Sequence, residues 1–193
     1  MKTNIILAGV GGQGVLSIAA VITAAAVKSG FKLRQSEVHG MAQRGGSVFS
    51  HIRISDDEIY CDIVPRGRAE LIISMEPLEG LRYLEWLSPS GKLVIAEEPF
   101  ININNYPSIK ELNIAIKSIP GAYLIPAETL AKNSGHSRSV NMVMIGAASI
   151  FLPVKPEILE DIITEFFVKL NPVINVKAFK AGRDYLINKN SGQ

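Results

Sequence analysis

The feature that most constrains this chain lies near its N-terminus, where a short apolar run meets a glycine cluster and then a helical stretch. Positions 4–8 (Asn4, Ile5, Ile6, Leu7, Ala8) suit a strand buried on both faces. Gly9-Val10-Gly11-Gly12-Gln13-Gly14 follows at once, and positions 15–28 are rich in Ala and Ile before the stop signal Gly30. A hydropathy window would also accept 5–27 as a signal or membrane span. The glycines argue against that, because each costs a helix about 1 kcal/mol. The flank is a single Lys2, and no small-residue cleavage site precedes a polar start. The segment reads as strand, turn and buried helix, and no membrane segment is expected.

Downstream, 31–35 is a second strand and the polar, glycine-bearing stretch 36–47 a long loop. Positions 48–54 alternate, Asp56-Asp57 is a polar turn and 58–64 resumes extended structure, which together predict an antiparallel hairpin. Strands at 71–75, 93–96 and 122–125 alternate with helices at 78–87, 109–118 and 127–132, with a turn signal at Pro89-Ser90-Gly91. The last third is helical. A buried helix spans 140–151, Pro156 opens a helix over 157–170, and Asn171-Pro172 starts a final helix to about position 186, with 189–193 frayed. A length of 193 residues suits one domain over 1–193. The expected fold is α/β and three-layered: a mostly parallel, Rossmann-like sheet with an antiparallel hairpin section and a helical C-terminal third.

Several function classes drop out. Net charge is +2 with Lys and Arg scattered, so no basic face for nucleic acid is expected. The one cysteine, Cys61, lies in the 58–64 stretch and reads as a small core hydrophobe. A single thiol makes no internal disulfide and falls short of the roughly four thiolates of an iron–sulfur cluster. A reducing, cytoplasmic compartment follows as the expectation. His39, His51 and His136 fit no metal spacing. His51 reads as a sheet-face residue and His136 as part of the cap before 140–151. No nucleophile elbow, phosphate-loop lysine motif or H-E-x-x-H is present.

Gly9 to Gly14 fits G-x-G-x-x-G in the context that a dinucleotide fingerprint needs, directly after a strand and opening a helix. Glycines allow close backbone approach, and the helix N-terminus offers free N–H groups to an anion. The acidic residue expected about twenty positions on would be Glu37. Yet Glu37 leads into a second glycine segment, Arg44-Gly45-Gly46, and little chain remains for a substrate domain. Two readings stay open here: dinucleotide binding, or a tight structural or partner-facing turn. The stretch 36–47 gathers Glu37, His39, Gln43 and Arg44 beside Gly40, Gly45 and Gly46, where open α/β sheets bind ligands or partners; its bland reading is a solvated loop. Glu37 and His39 are close enough for an acid/base pair, but no motif places a nucleophile beside them. Asn141 is the odd polar residue of the apolar 140–151 helix. Its amide needs partners, either loop backbone such as the glycine turns or solvent.

The glycine turn followed by a small-residue helix, and then Ser36-Glu37-Val38-His39-Gly40-Met41-Ala42-Gln43-Arg44-Gly45-Gly46-Ser47, resembles the gamma-type subunits of 2-oxoacid:ferredoxin oxidoreductases. Within that family, the form from His39 to Gly46 is most similar to the small (beta) subunits of indolepyruvate ferredoxin oxidoreductases. The resemblance runs over nearly the whole chain, and the second motif is far more specific than the first. It implies a subunit without cofactors of its own, inactive alone. Partner subunits would carry thiamine diphosphate, Mg and the iron–sulfur clusters. The complex would oxidatively decarboxylate a 2-oxoacid, indolepyruvate or another aryl pyruvate, to an acyl-CoA, with CoA as co-substrate and ferredoxin as acceptor. By the same resemblance the two glycine loops lie near the shared interface, and no catalytic residue is carried over. The rival readings are a free-standing NAD(P)-binding oxidoreductase and a CoA- or nucleotide-binding module.

Overall fold

A computed structural model describes residues 1–39, 45–169 and 171–191 of the chain. Its strands are β1 (Lys2–Val10), β2 (Lys32–His39), β3 (Ser47–Ser55), β4 (Ala69–Ser74), β5 (Leu87–Ala96) and β6 (Ala122–Ile125). Its helices are α1 (Val15–Lys28), α2 (Pro77–Arg82), α3 (Ile109–Lys117), α4 (Ala127–Ser134), α5 (Val140–Ala148), α6 (Pro156–Phe166) and α7 (Pro172–Ser191). One sheet in the order β2-β3-β1-β4-β5-β6 forms the middle layer. β1, β4, β5 and β6 pair in parallel, whereas β3 runs antiparallel between β1 and β2.

Strict alternation divides the buried strands between two cores. Ile5 and Leu7 of β1, Leu71 and Ile73 of β4, and Val94 and Ala96 of β5 meet α1 and the helices of the C-terminal third. Ile6, Ala8, Ile72, Leu93 and Ile95 point the other way, onto Tyr83, Trp86 and Ile116 around α2 and α3. Apolar residues in both phases of the period-2 pattern are what a sheet covered on both faces requires. The α/β, three-layer expectation and the helical last third are therefore observed.

α5 and α7 cross at two glycines. A Cβ on Gly146 would sit 1.9 Å from the Phe179 carbonyl oxygen, and one on Gly182 would sit 2.0 Å from that of Val143. Each helix thus lays backbone against backbone at the other's glycine. That brings Phe179, fully buried, into the main core.

Four local expectations need correction. Positions 36–39 are strand, not loop: the mostly polar residues from Ser36 to His39 continue β2 opposite His51 to Val48 of β3. β2 is a sheet edge, where charged and polar side chains are common, and Arg34 and Glu37 stand exposed on it. The hairpin is therefore β2 with β3, and 58–64 is not a strand. Side chains of the sheet satisfy its backbone instead. Arg53 donates to the carbonyls of Cys61 (2.7 Å) and Ile63 (3.3 Å), and Arg34 to that of Ile59 (3.1 Å). His51 Nδ1 accepts from the Val64 N–H (3.3 Å). Cys61 sits exposed on this segment and is no core residue. Lastly, Pro89-Ser90-Gly91 does not separate a helix from a strand but lies inside β5. There the pairing with β4 jumps from Ala69↔Leu87 to Leu71↔Lys92. A Cβ on Gly91 would lie 2.7 Å from the Ala69 carbonyl, so glycine lets this irregularity close against β4.

Candidate functional site

The two glycine segments meet. β1 ends at Val10, opposite Ser47 of β3, and beyond that pair the strands continue as a backbone clasp. The Gly11 N–H donates to the Gly46 carbonyl (2.8 Å), and the Gly45 N–H donates to that of Gly11 (3.2 Å). Gln13 braces the first turn from within. Its Oε1 accepts from the Val10 N–H (2.8 Å), and its Nε2 donates to the Met75 carbonyl at the end of β4 (3.2 Å). Gly9 is fixed by crowding, since a Cβ there would lie 2.8 Å from a Val15 methyl and 3.0 Å from Met75 Cβ. Gly12 and Gly14 hold left-handed backbone, φ 104° and 88°. Gly14 also lies beneath Asn141, whose Nδ2 is 3.2 Å from where a Cβ would stand. Asn141 is half-buried on the first turn of α5, facing the first glycine turn, and its Oδ1 accepts from the Met142 N–H (3.1 Å).

This arrangement bears on dinucleotide binding. The Gly11 N–H is committed to Gly46, and the Gln13 N–H to Val10. Both groups lie on the turn that would otherwise cradle a pyrophosphate. Glu37 is exposed on β2 opposite Ser50, which in turn faces Leu7 of β1, so β3 separates it from β1. Two strand spacings are roughly 10 Å. The Glu37 Oε1 also accepts from Gln35 Nε2 at 2.5 Å. The acid of a dinucleotide site closes the parallel strand next to β1, a place that β3 takes here. Gly40, Gln43 and Arg44 lie outside the described residues, and of His39 only the backbone is described, opposite Val48.

Beneath the clasp is a buried polar network that no sequence motif marks. Glu76 and Glu79 are 1% and 3% exposed. Ser47, the residue after the second glycine pair, donates its hydroxyl to Glu79 Oε2 (2.5 Å) and lies 3.1 Å from the Tyr83 hydroxyl. Arg82 Nε reaches Glu79 Oε1 at 3.2 Å. Glu76 caps α2 by accepting from the Glu79 N–H, and its Oε2 accepts from the Tyr106 hydroxyl (2.5 Å). Burial, and then the bond to Glu76, holds the Tyr106 phenol well above its ordinary range. The only trace of this in the sequence is the pair Glu76-Pro77, a capping acid before a proline at the first helical position.

Two hollows flank the clasp at the carboxyl ends of the strands. One, of about 350 Å³, is mostly apolar, lined by the first glycine turn with Val10, Val15, Leu16 and Val48. The other, of about 380 Å³, lies between Gly12–Gly14, Met75, Glu98, Phe100, Arg138 and Asn141. It occupies the switch point where α1 leaves for one face and α2 for the other, the usual ligand position in open α/β sheets. Glu98 stands at its wall. One carboxylate oxygen accepts from the Glu128 N–H at the start of α4 (2.9 Å), and burial raises its pKa above the ordinary carboxylate range.

The histidines have structural settings. His51 is buried against Phe49 and Trp86 of the second core, and desolvation lowers its pKa. His136 Nδ1 accepts from the Arg138 N–H (2.9 Å), capping the short turn before α5. Among the described residues no group of three or more His, Cys, Asp or Glu side chains is placed to hold a metal. No helix among them is long and apolar enough to cross a membrane.

Comparison with known proteins agrees with this geometry. The chain is 37% identical over 189 residues to the indolepyruvate oxidoreductase subunit IorB of Pyrococcus horikoshii, covering 93% of both chains. Its fold matches the gamma subunit of a keto/oxoacid ferredoxin oxidoreductase from Geobacter sulfurreducens, with a TM-score of 0.69 at 24% identity over 96% of this chain and 99% of that one. It also matches the 2-oxoglutarate:ferredoxin oxidoreductase of Magnetococcus marinus, solved with 2-oxoglutarate, coenzyme A and succinyl-CoA bound (TM-score 0.74, 20% identity, 97% of this chain). There the chain spans only 31% of the longer polypeptide. Residues 4–185 match the family described as pyruvate ferredoxin/flavodoxin oxidoreductase, and the chain belongs to that family.

Proposed function

We propose that this chain is the small, gamma-type subunit of a 2-oxoacid:ferredoxin oxidoreductase, acting on indolepyruvate or another aryl pyruvate, with its glycine clasp turned toward the partner subunits. In that assembly thiamine diphosphate with Mg, and the iron–sulfur clusters, belong to the partners. CoA accepts the acyl group and ferredoxin the electrons, in a cytoplasmic setting. Family membership and the likeness to an indolepyruvate subunit support the reading. So does the sequence's single cysteine, far short of the roughly four thiolates that a cluster takes.

The observation that carries the interface role is the clasp itself. It commits the Gly11, Gln13 and Gly45 amides internally, while apolar side chains around it stay in water: Leu16 is 51% exposed and Ile101 66%. A surface of this kind suits a protein partner better than a pyrophosphate. This chain's own residues then supply shape and positioning, and bond-making belongs to the partners.

The test is reconstitution. The purified chain alone is expected to show no 2-oxoacid-dependent ferredoxin reduction, and activity is expected to appear when the thiamine- and iron–sulfur-bearing subunits are added. Turnover by the purified chain alone would sink the proposal. Calorimetric titration with NAD(H), NADP(H) and CoA separates the rival readings, since a free-standing nicotinamide enzyme must bind its dinucleotide tightly.

A further inference from the structure

The hollow of about 380 Å³ at the switch point gathers polar groups that the fold itself leaves unpaired. Glu98 Oε2 is buried yet has no hydrogen-bond partner among the described residues, whereas the other carboxylate oxygen takes the Glu128 N–H. The two other atoms in that condition, on Ser88 and Asn113, line neither hollow beside the clasp. Asn141 commits its Oδ1 to the Met142 N–H, and its Nδ2 donates to no group among the described residues. Arg138 is exposed. Its backbone N–H is bonded to His136, but its guanidinium meets no carboxylate or other acceptor among the described residues. All three side chains line the one hollow, together with the apolar Met75, Phe100 and Val140. Folded proteins pair nearly all their buried polar atoms, so an acceptor and two donors left over at one cavity call for a group from outside.

We propose that this hollow is a binding site for a free amino acid with an aromatic side chain. Arg138 and the Asn141 amide take its carboxylate, Glu98 takes its ammonium, and Met75, Phe100 and Val140 take its side chain. Chemistry selects this class over the others. A phosphate or other polyanion would meet two carboxylates on the same walls, Glu98 and Glu128, for a single arginine. A purely apolar ligand would leave Glu98 Oε2 buried and unpaired. A 2-oxoacid brings a carboxylate but no cation for Glu98. A zwitterion answers both ends at once, through charge-assisted hydrogen bonds. Burial disfavours the ionised form of Glu98, and an ammonium beside it would reverse that. The volume also falls within the roughly 300–1,000 Å³ of small-molecule sites. The site draws on this chain's residues only, so it stands or falls independently of the subunit reading.

The experiment titrates the full chain calorimetrically with L-phenylalanine and L-tryptophan. Two truncated probes accompany them: 3-phenylpropionate, which lacks the ammonium, and phenethylamine, which lacks the carboxylate. The amino acids should bind, and each truncated probe should bind at least about tenfold more weakly than L-phenylalanine, since each forfeits a charge-assisted contact. Arg138→Gln and Glu98→Gln should each raise the Kd for the amino acid at least about tenfold. Arg138 is exposed, so its variant should melt within about 2 °C of the intact chain without ligand, as ordinary surface changes do. That variant therefore decides the matter even if Glu98→Gln proves less stable. Absence of binding by both amino acids at about 10 mM overturns the proposal. So does an Arg138→Gln chain that binds within about twofold of the intact one. Truncated probes that bind as well as L-phenylalanine would reduce the hollow to an apolar pocket. Displacement of the amino acid by CoA or NAD(H) at lower concentration would give the hollow to a nucleotide instead, and the assignment would be wrong.

Discussion

Replacing Gly146 by alanine sets two physical effects of opposite sign against each other. In a free helix alanine is better than glycine by about 1 kcal/mol. At this position the added Cβ would stand 1.9 Å from the Phe179 carbonyl oxygen, about 1.5 Å inside ordinary contact, and the obstacle is backbone rather than a pliable side chain. α5 and α7 must part, and Phe179 must withdraw from a core in which it is fully buried. Overpacking of this kind costs typically 1–3 kcal/mol and occasionally more. Here it should sit at or beyond the top of that range, leaving a net destabilisation of about 2 kcal/mol once helix propensity is subtracted. For a domain of this size that is a fall of roughly 4–8 °C in Tm, measurable by calorimetry or circular dichroism. Gly182→Ala, facing the Val143 carbonyl at 2.0 Å, should behave alike. The double variant should cost less than the two singles added, because the helices need to separate only once. A Tm that rises for Gly146→Ala would mean that propensity alone governs the site, and would refute the close-crossing argument.

Two other perturbations follow from the same structure. Gln13→Ala removes a side chain that both accepts from Val10 and donates to Met75; it should cost about 1–3 kcal/mol in urea unfolding, and Gln13→Glu should cost more, because a carboxylate oxygen would then face the Met75 carbonyl. Burial lowers the pKa of His51 below its ordinary value of 6.5, so its contribution to stability is complete above that pH and is lost as the pH falls toward the folded-state value. Melts between about pH 7.5 and 5 should show a steeper loss for the intact chain than for His51→Gln. Equal slopes would contradict the buried, neutral imidazole.

Much of the fold was legible because burial on two faces writes itself into composition. Ile5, Ile6 and Leu7 are apolar in both phases, which only a covered strand needs, and 15–28 is the observed α1 to the residue. The hairpin was misassigned because alternation identifies a strand without naming its neighbour. β3 found partners in β1 and β2, and 58–64 lost its ladder to Arg53, Arg34 and His51. The glycine segments announced themselves as special backbone, but their mutual clasp joins residues more than thirty positions apart. The Glu76–Glu79 network was illegible because buried carboxylates look like surface carboxylates until their burial is known.

By itself, then, the sequence determined the local elements, the α/β class and the two glycine turns, since these follow from short-range periodicity and from backbone that only glycine adopts easily. The tertiary structure alone decided that an antiparallel strand separates Glu37 from β1, that Asn102 reaches the Gly45 carbonyl and Tyr106 the buried Glu76, and that α5 meets α7 at bare backbone. Those outcomes depend on which distant segments come within a few ångströms of one another. Contact energies are set across space, and a pattern read along the chain carries no record of them.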